Sequence, residues 1–398
     1  MGLIGEWQAL RRLLKTPKPE RTILFYSEGP DYWVHFQAVI GHLTETLGRT
    51  VCYVSSSASD PGLTQDHPRI LPFNIGGGLV RTIFFKTLDG GLMVMTLTDF
   101  GNLYLKRSSL PVHFAYIFHS PVSTHMIYRN RAFEHYDSIL CCGPHHMAEI
   151  RETEALYGLP QCPLYEHGYG RLDSLVAAGA ALQPPGSSGP ANGPKRFLVA
   201  LSWGPRGLFE GGHGEALVQA LLEAGFHVTV RPHPQTLKLN RDCWTRLVAR
   251  FGGEAGFVHE EDVSTEESLL AADLMVSDWS GAALEYAFGL ERPVLFIDVP
   301  RKVNNPEYER LQNVPLEVSI RDQIGVVLSP GRMAEAPGLV TDMLDRAGEY
   351  AGRARECREK WMFNVGHSGR RGAEILVELA ESHDHTDAGT AGGTKGTP

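Results

Sequence analysis

The sequence predicts an α/β protein made of two similar domains that face each other across a cleft. The chain has 398 residues, which is long for a single hydrophobic core. Short apolar runs alternate with helical patterns in both halves, an order typical of parallel sheets covered by helices. Residues 181–195, rich in proline and glycine, separate the two series and are interpreted as a linker.

Composition and charge restrict the class of protein. Hydrophobic residues make up 42% of the chain and charged residues 21%, with a net charge of −9. The acidic balance argues against general nucleic-acid binding. No apolar stretch approaches the roughly 18 to 20 residues that span a bilayer. Basic residues interrupt the apolar N-terminus, so we expect no secretory signal and a cytoplasmic location.

Cysteine and histidine form no pattern of metal ligands. The six cysteines include no CxxC pair, and we interpret them as buried free thiols in a reducing compartment. The 17 histidines lack the spacing of a zinc site. We therefore expect neither a metal nor another cofactor.

Residues 1–19 are predicted to form a short amphipathic helix that ends at Pro17 and Pro19. Its apolar positions recur at helical spacing, and its basic positions lie opposite: Leu3, Ile4, Trp7, Leu10 and Leu14 against Arg11, Arg12 and Lys15. Two interpretations stay open. The helix packs on the body of the protein, or it lies on the anionic inner face of a membrane.

The two domains are predicted to span residues 20–180 and 196–382, followed by a disordered polar tail at 383–398. Residues 332–382 have helical patterns. Predicted strands in the first domain are Thr22–Tyr26, Val51–Val54, Leu92–Leu97, His113–Phe118 and Ser138–Cys142, with a further candidate near Leu164. In the second domain they are Phe197–Leu201, His227–Val230, Leu274–Val276 and Val294–Ile297.

Residues that suit a diphosphate follow the strands of the second domain, and the carboxyl ends of parallel strands are where such sheets bind ligands. The candidates are Ser202 and Trp203, then Arg231 and His233, and then Ser277, Asp278 and Ser280 at the start of a helix. Glu285 lies one turn further along and is placed to reach a ribose. Alternatively, Asp278 is an ordinary N-cap and His233 part of a rigid Pro-His-Pro turn.

Three further segments carry candidate residues. His119 ends a strand of the first domain and is interpreted as a general base or as a hydrogen-bonded structural histidine. In residues 166–173, glycines allow close backbone approach, and Arg171 to Asp173 are interpreted as beginning a helix and pairing within it. His367, Ser368 and Arg371 precede or begin the last helix, where Ser368 suits an N-cap. Cations are unfavourable at a helix N-terminus, and an anionic ligand would offset them.

Several common motifs are missing from the sequence. It has no GxxxxGK[ST], HExxH or GxSxG pattern, and no GxGxxG follows the first strand. P-loop NTPases, zincins, α/β-hydrolases and dinucleotide dehydrogenases are therefore disfavoured.

These segments together resemble the CDP-glycerol glycerophosphotransferase family, the polymerases and primases of teichoic-acid-like polymers. The resemblance covers roughly residues 20–380. Its matching segments are Phe118–Pro121, Ser202-Trp203, Arg231–Pro234, Ser277–Ser280, Arg292–Phe296 and Gly366–Ser368. Two segments depart from the family pattern. His119-Ser120-Pro121 replaces a glycine-containing motif, and Trp203 lacks the arginine that usually follows it.

The resemblance implies a GT-B-like fold, with two Rossmann-like domains and the nucleotide donor on the second. It implies His119 as the general base, His233 on the leaving phosphate, Ser277 and Ser280 on the diphosphate, and Glu285 on the ribose. His367, Ser368 and Arg371 would contact phosphate from the other side. The implied partners are a CDP-alcohol donor and a lipid-linked or polymer acceptor, with release of CMP.

Two other functions stay open. One is a GT-B glycosyltransferase that uses a nucleotide sugar and breaks the sugar C–O bond. The other is a non-catalytic carbohydrate- or nucleotide-binding protein, in which His119 and His233 would be dispensable.

Overall fold

A computed structural model describes residues 2–101, 105–182, 193–261 and 266–391. Within these ranges the first sheet has the strand order β3-β2-β1-β4-β5-β6-β7, and all its neighbours are parallel. The strands are β1 Ile23–Ser27, β2 Val51–Ser55, β3 Ile70–Asn74, β4 Leu92–Met95, β5 His113–Ile117, β6 Ser138–Cys141 and β7 Leu164–Glu166.

The second sheet is also parallel and has the order β10-β9-β8-β11-β12-β13. Its strands are β8 Arg196–Ala200, β9 His227–Arg231, β10 Phe257–His259, β11 Leu274–Ser277, β12 Val294–Ile297 and β13 Gly325–Leu328. Both sheets therefore follow the doubly wound order, with the change of direction between β1 and β4 and between β8 and β11. The predicted fold class, two Rossmann-like domains, is confirmed.

Helices cover the faces of both sheets. They are α1 Leu3–Lys15, α2 Trp33–Gly41, α3 Leu79–Thr87, α4 Pro144–Tyr157, α5 Gly170–Ala181, α6 Gly214–Glu223, α7 Pro234–Leu239, α8 Arg241–Phe251, α9 Glu267–Ala271, α10 Gly281–Leu290, α11 Leu316–Ser319, α12 Arg321–Ile324, α13 Ala336–Asp345, α14 Ala347–Trp361 and α15 Ser368–Ala391. Because both faces are covered, central strands such as β1, β2 and β11 are buried along their whole length. No described helix combines the length and the apolar character needed to cross a bilayer.

The last helix does not belong to the second domain's core. Ala373, Ile375, Leu376 and Leu379 of α15 are buried in one cluster with residues of β1 and α2, such as Phe25. The chain therefore crosses back to the first domain after α14. The helix also runs on to Ala391, past the predicted start of a disordered tail at residue 383. Residues 392–398 and most of the predicted linker lie outside the described residues.

The N-terminal helix packs on the first domain with only part of its predicted apolar face. Leu10 and Leu13 are buried, and α1 contacts β3 and α3. Leu3, Ile4 and Leu14 are exposed, at 56%, 77% and 42%. The packed interpretation therefore holds for the middle of the helix, and the start of the helix is left uncovered.

The two domains meet directly where α5 crosses α10. Gly289 of α10 lies so close to α5 that an added Cβ would be 2.5 Å from Leu175 Cβ. Glycine at this crossing lets two backbones approach more closely than side chains would allow. The helix start of α10 is thereby held at the cleft between the sheets.

Candidate functional site

The cleft between the domains has a volume of about 350 Å³ and lies at the carboxyl ends of both sheets. Six of the predicted site residues line it: His119, Ser202, Arg231, His233, Ser280 and Glu285. Trp203, Ser277, Asp278, His367, Ser368 and Arg371 do not. The structure thus gathers half of the predicted set around one cavity.

The start of α10 lines the cleft through Ser280, Gly281 and Ala282. Ser280 is the N-cap, and its Oγ accepts a hydrogen bond from the Ala282 N–H at 3.3 Å. The alternative that Asp278 caps this helix is therefore wrong. Across the cleft, Ser120 Oγ lies only 2.3 Å from where a Cβ on Gly281 would be. A helix N-terminus in a cleft offers N–H groups and a positive dipole end to an anion.

Ser277 and Asp278 lie behind the cleft and join two strands. Ser277 Oγ donates to the Ala200 carbonyl oxygen at 2.6 Å, and Asp278 Oδ1 accepts the Ser202 N–H at 2.7 Å. Both residues are buried. They fix the ends of β8 and β11 relative to each other, at the point where the strand order reverses. Direct contact of Ser277 with a donor diphosphate is not supported.

His119 follows β5 and projects among aromatic rings. The rings of Tyr32, His35 and Tyr128 lie around it at centroid distances of 5.9 to 6.1 Å, and Tyr116 Oη is 3.4 Å from its Nδ1. Burial lowers the pKa of His119 to about 4, although a backbone hydrogen bond with Thr96 partly opposes this. The ring is therefore neutral near pH 7, as a general base requires.

Glu285 pairs with the opposite domain through both carboxylate oxygens. Tyr169 Oη donates to Oε1 at 2.6 Å, and Arg171 Nε donates to Oε2 at 2.8 Å. The Glu285 charge raises the pKa of Arg171 further. The interpretation of Arg171 as pairing within its own helix is therefore wrong, and a ribose would have to compete for Glu285.

His35 is a cleft residue that the sequence analysis missed. It lies on α2, close to the carboxyl end of β1, and stacks on Tyr169 at a centroid distance of 5.8 Å. Burial lowers its pKa well below the usual range, and the positions of His119 and Arg171 add to this effect. Its place after β1, at the reversal of strand order, is the one signal that could have pointed to it.

Arg231 and His233 follow β9 and face the cleft from the second domain. Arg231 donates through Nη2 to Glu260 at 2.9 Å and to Ser268 Oγ at 2.7 Å. His233 caps α7, because its Nδ1 accepts the Gln235 N–H at 3.1 Å. Burial, with the nearby Lys302 and Lys238, lowers the pKa of His233 to about 3. The ligand-free ring is thus neutral, with its proton on Nε2.

Lys302 also lines the cleft and has no counterpart among the predicted residues. Its Nζ lies 5.2 Å from the centre of the Trp203 ring, which in turn lies 6.2 Å from the His233 ring. Trp203 therefore stands behind the cleft and supports two of its lining residues. Lys302 sits in a polar loop after β12, where nothing in the sequence distinguishes it from an ordinary surface lysine.

The His367–Arg371 segment lies at the start of α15, and its residues do not line the cleft. Asp173 of α5 accepts hydrogen bonds from the Gly366 N–H at 2.7 Å and from the Ser368 N–H at 2.8 Å. Ser368 is buried, His367 is exposed and Arg371 faces Glu374 at 3.5 Å. The Asp173 carboxylate supplies the negative charge expected at this helix start, so no anionic ligand is needed to explain it.

Within the described ranges, no three His, Cys, Asp or Glu side chains are grouped in a way that could hold a metal ion. His119, His233, Arg231, Lys302 and the start of α10, which all line the cleft, are instead suited to binding an anion and to proton transfer.

Comparison with known proteins identifies the fold. No protein-family model matches the chain, and no curated protein matches it significantly. The wall teichoic acid polymerase TagF matches over 95% of this chain and 98% of its own, with a TM-score of 0.61 and 13% identity. UDP-GlcNAc 2-epimerase from Neisseria meningitidis matches over 89% and 99%, with a TM-score of 0.59 and 11% identity.

The chain has the GT-B fold. A glycosyltransferase from Rickettsia africae also matches, over 90% of this chain and 98% of its own, with a TM-score of 0.51 and 14% identity. At identities this low the likeness establishes the architecture alone. The two Rossmann-like domains of this fold account for the cleft between the sheets.

Proposed function

We propose that the protein is a transferase that moves glycerol phosphate, or a related polyol phosphate, from a CDP-linked donor to a hydroxyl group. The acceptor would be a cell-surface polymer or a lipid-linked molecule, and CMP would be released. The observation that carries the proposal is that His119 lies on one wall of the cleft while His233 and the start of α10 lie on the other. The likeness to TagF, one structure of which was soaked with CDPG, supports the choice of donor.

The chemistry follows from the protonation states of the two histidines. Neutral His119 takes the proton of the acceptor hydroxyl as its oxygen forms a bond to the β-phosphorus of the donor. The bond from that phosphorus to the bridging oxygen breaks, and CMP leaves with this oxygen. His233 donates a hydrogen bond from Nε2 to the leaving phosphate, and the N-terminus of α10 stabilises its charge. Positioning and charge stabilisation would supply most of the acceleration.

A nucleotide-sugar glycosyltransferase is the second candidate, because proteins that act on UDP-GlcNAc match this chain about as well as TagF does. The same cleft would then hold the diphosphate while the sugar C–O bond breaks. The leaving group distinguishes the two reactions. Phosphotransfer releases a nucleoside monophosphate, whereas glycosyl transfer releases a nucleoside diphosphate.

The test is to incubate the purified protein with CDP-glycerol or with UDP-GlcNAc and to follow the products by phosphorus NMR. Water can replace an unknown acceptor, so slow donor hydrolysis is measurable without one. We expect CMP from CDP-glycerol, with the signal lost in His119→Gln. Release of UDP from UDP-GlcNAc would favour the glycosyltransferase. Nucleotide binding without turnover of either donor would favour the non-catalytic protein.

We also propose that the uncovered start of α1 docks the enzyme on an anionic membrane surface, where a lipid-linked acceptor would lie. Leu3 and Ile4 are exposed there, and Leu79, 60% exposed, is on the neighbouring helix α3. Exposed Arg11 and Lys15 on the same helix suit anionic headgroups.

A further inference from the structure

The cleft is lined by three cations, and they differ in how they are paired. Arg171 Nε lies 2.8 Å from Glu285, and Arg231 Nη2 lies 2.9 Å from Glu260. Lys302 makes no ion pair with any carboxylate in the part of the chain that the structure describes. A ligand anion entering the cleft would therefore meet two arginines that already make ion pairs and one lysine that makes none within the described ranges.

The surroundings of Lys302 hold its ammonium group in place but give it no ion-pair partner among the described residues. The Trp203 ring contacts it in a cation–π arrangement, with Nζ 5.2 Å from the ring centre. Burial lowers the pKa of Lys302, and the charges of Asp278 and Glu210 oppose this only in part. Lys302 is half-buried and makes no ion pair with the residues that the structure describes, so its ammonium group is available to a bound anion.

The position of Lys302 fits one kind of ligand. It shares the cleft with the N-terminus of α10 and with His233, whose Nε2–H is free of the Gln235 contact. A helix N-terminus, an imidazole N–H and an ammonium group are all donors, and none of them accepts a hydrogen bond. Such a set matches the oxygens of a phosphate group, for which lysine is a common partner.

We propose that Lys302 binds a phosphate of the nucleoside diphosphate donor, and that Trp203 positions it through the contact with its ring. The inference rests on the proposed function only in taking the ligand to be a nucleotide donor. It adds a residue outside all the segments on which the family resemblance stands. It also gives Trp203 a role that does not require contact with the donor.

The test compares Lys302→Met with Lys302→Arg, and uses Lys238→Met as the matched control. Lys238 lies on α7 near His233, is exposed and does not line the cleft. Isothermal titration calorimetry would measure the binding of cytidine, CDP, CDP-glycerol, UDP and inorganic pyrophosphate. We expect Lys302→Met to weaken the binding of every phosphate-bearing probe at least tenfold and to leave cytidine binding unchanged. Lys302→Arg should recover part of the loss, and Lys238→Met should bind like the wild type.

The melting temperature of the free protein separates this role from a structural one. Removing a half-buried ammonium group that makes no ion pair in the described part of the chain should leave the melting temperature unchanged or raise it, whereas loss of a structural residue would lower it. Unchanged affinity of Lys302→Met for the phosphate-bearing probes would overturn the inference, as would a wild-type protein that binds none of them. Tighter binding of UDP than of CDP, with both weakened in Lys302→Met, would support the inference while contradicting the proposed cytidine donor.

Discussion

His119 is held in its basic form by the rings packed around it. The same burial that lowers its pKa to about 4 removes the protonation step that a histidine of ordinary pKa would show near pH 6.5. Nearby His35 has a lowered pKa as well, so neither ring puts a competing positive charge on this wall of the cleft near neutral pH.

The first prediction concerns the pH dependence of the proposed reaction. Because kcat/KM reports the ionisation of the free enzyme, it should stay level from neutral pH down to roughly 5 and fall only below that. His119→Gln should lower kcat about 10²- to 10⁴-fold while nucleotide binding persists. An acid limb with its midpoint near 6.5 in the wild-type profile would contradict the assignment.

His233 provides the second prediction, which is proton uptake on donor binding. Its pKa is about 3 in the free protein because of burial and the adjacent Lys302 and Lys238. A bound phosphate would add negative charge beside the ring and raise this pKa toward neutrality. Calorimetry near pH 6 in buffers of different ionisation enthalpy should therefore detect net uptake of protons. The uptake should disappear in His233→Gln, and its persistence there would assign it to another group.

The sequence predicted the cleft residues that directly follow apolar strands, and missed those with no such local signal. His119, Ser202, Arg231 and His233 each stand within three residues of the end of a buried strand. Lys302 lies in a polar loop and reaches the cleft only through tertiary packing. Ser277 and Asp278 also stand at a strand end but hydrogen-bond the neighbouring strand, a use of such side chains that the sequence does not distinguish from ligand binding.

At the level of elements, residues 120–127 connect His119 to both domains. His146 Nε2 donates to the Val122 carbonyl oxygen at 2.9 Å from the first domain. From the second domain, Glu317 accepts the Ser123 N–H at 2.9 Å and the Ser123 Oγ–H at 2.6 Å. This segment, which begins directly after the proposed base, is thus fixed from two sides.

The third prediction is that Glu317→Ala destabilises the protein by about 1–3 kcal/mol, because it leaves the buried Ser123 N–H without an acceptor. Glu317→Gln keeps one acceptor oxygen and should cost less. Urea unfolding would measure both free energies. Glu356→Ala on the exposed side of α14 is the control and should change stability by no more than about 0.5 kcal/mol. Equal stability of Glu317→Ala and the control would show that the contact does not fix the segment.

The fourth prediction concerns the crossing of α5 and α10. A Cβ at Gly289 would lie 2.5 Å from Leu175 Cβ, an atom that cannot rotate away, so Gly289→Ala should destabilise by about 1–3 kcal/mol. Gly352→Ala is the matched control, since it is also helical and has no atom within 4 Å of the added methyl. It should instead stabilise by up to about 1 kcal/mol. Thermal unfolding of the two variants should therefore shift in opposite directions.

The elements most easily predicted were the strands that are buried on both faces. Central strands such as β1 and β11 are continuous apolar runs because both their faces are covered. The edge strands β3, β10 and β13 were missed. All three are partly exposed. The β3 strand contains Pro72, β10 has only three residues, and β13 begins at Gly325, so their patterns resemble loops. Helical periodicity identified α15 but carried no information about which sheet its apolar face would cover.

For the whole molecule, the uncovered start of α1 gives the fifth prediction. Leu3→Glu together with Ile4→Glu should abolish sedimentation with vesicles rich in anionic lipid, without lowering the melting temperature, because both side chains are already exposed. Leu110→Glu, at another exposed leucine, is the control and should still sediment. Failure of the wild type to bind anionic vesicles would contradict the membrane proposal and leave the cleft chemistry unaffected.

The return of α15 to the first sheet has a consequence for how the protein is made. A helix that begins about 200 residues after the last strand of that sheet buries Phe25 and Val39. During synthesis the first domain therefore emerges with an apolar face that its own segment cannot cover, while the second domain's sheet can form around its own residues. The second domain should acquire its native structure before the first domain does. The first domain should depend on chaperone protection until α15 leaves the ribosome.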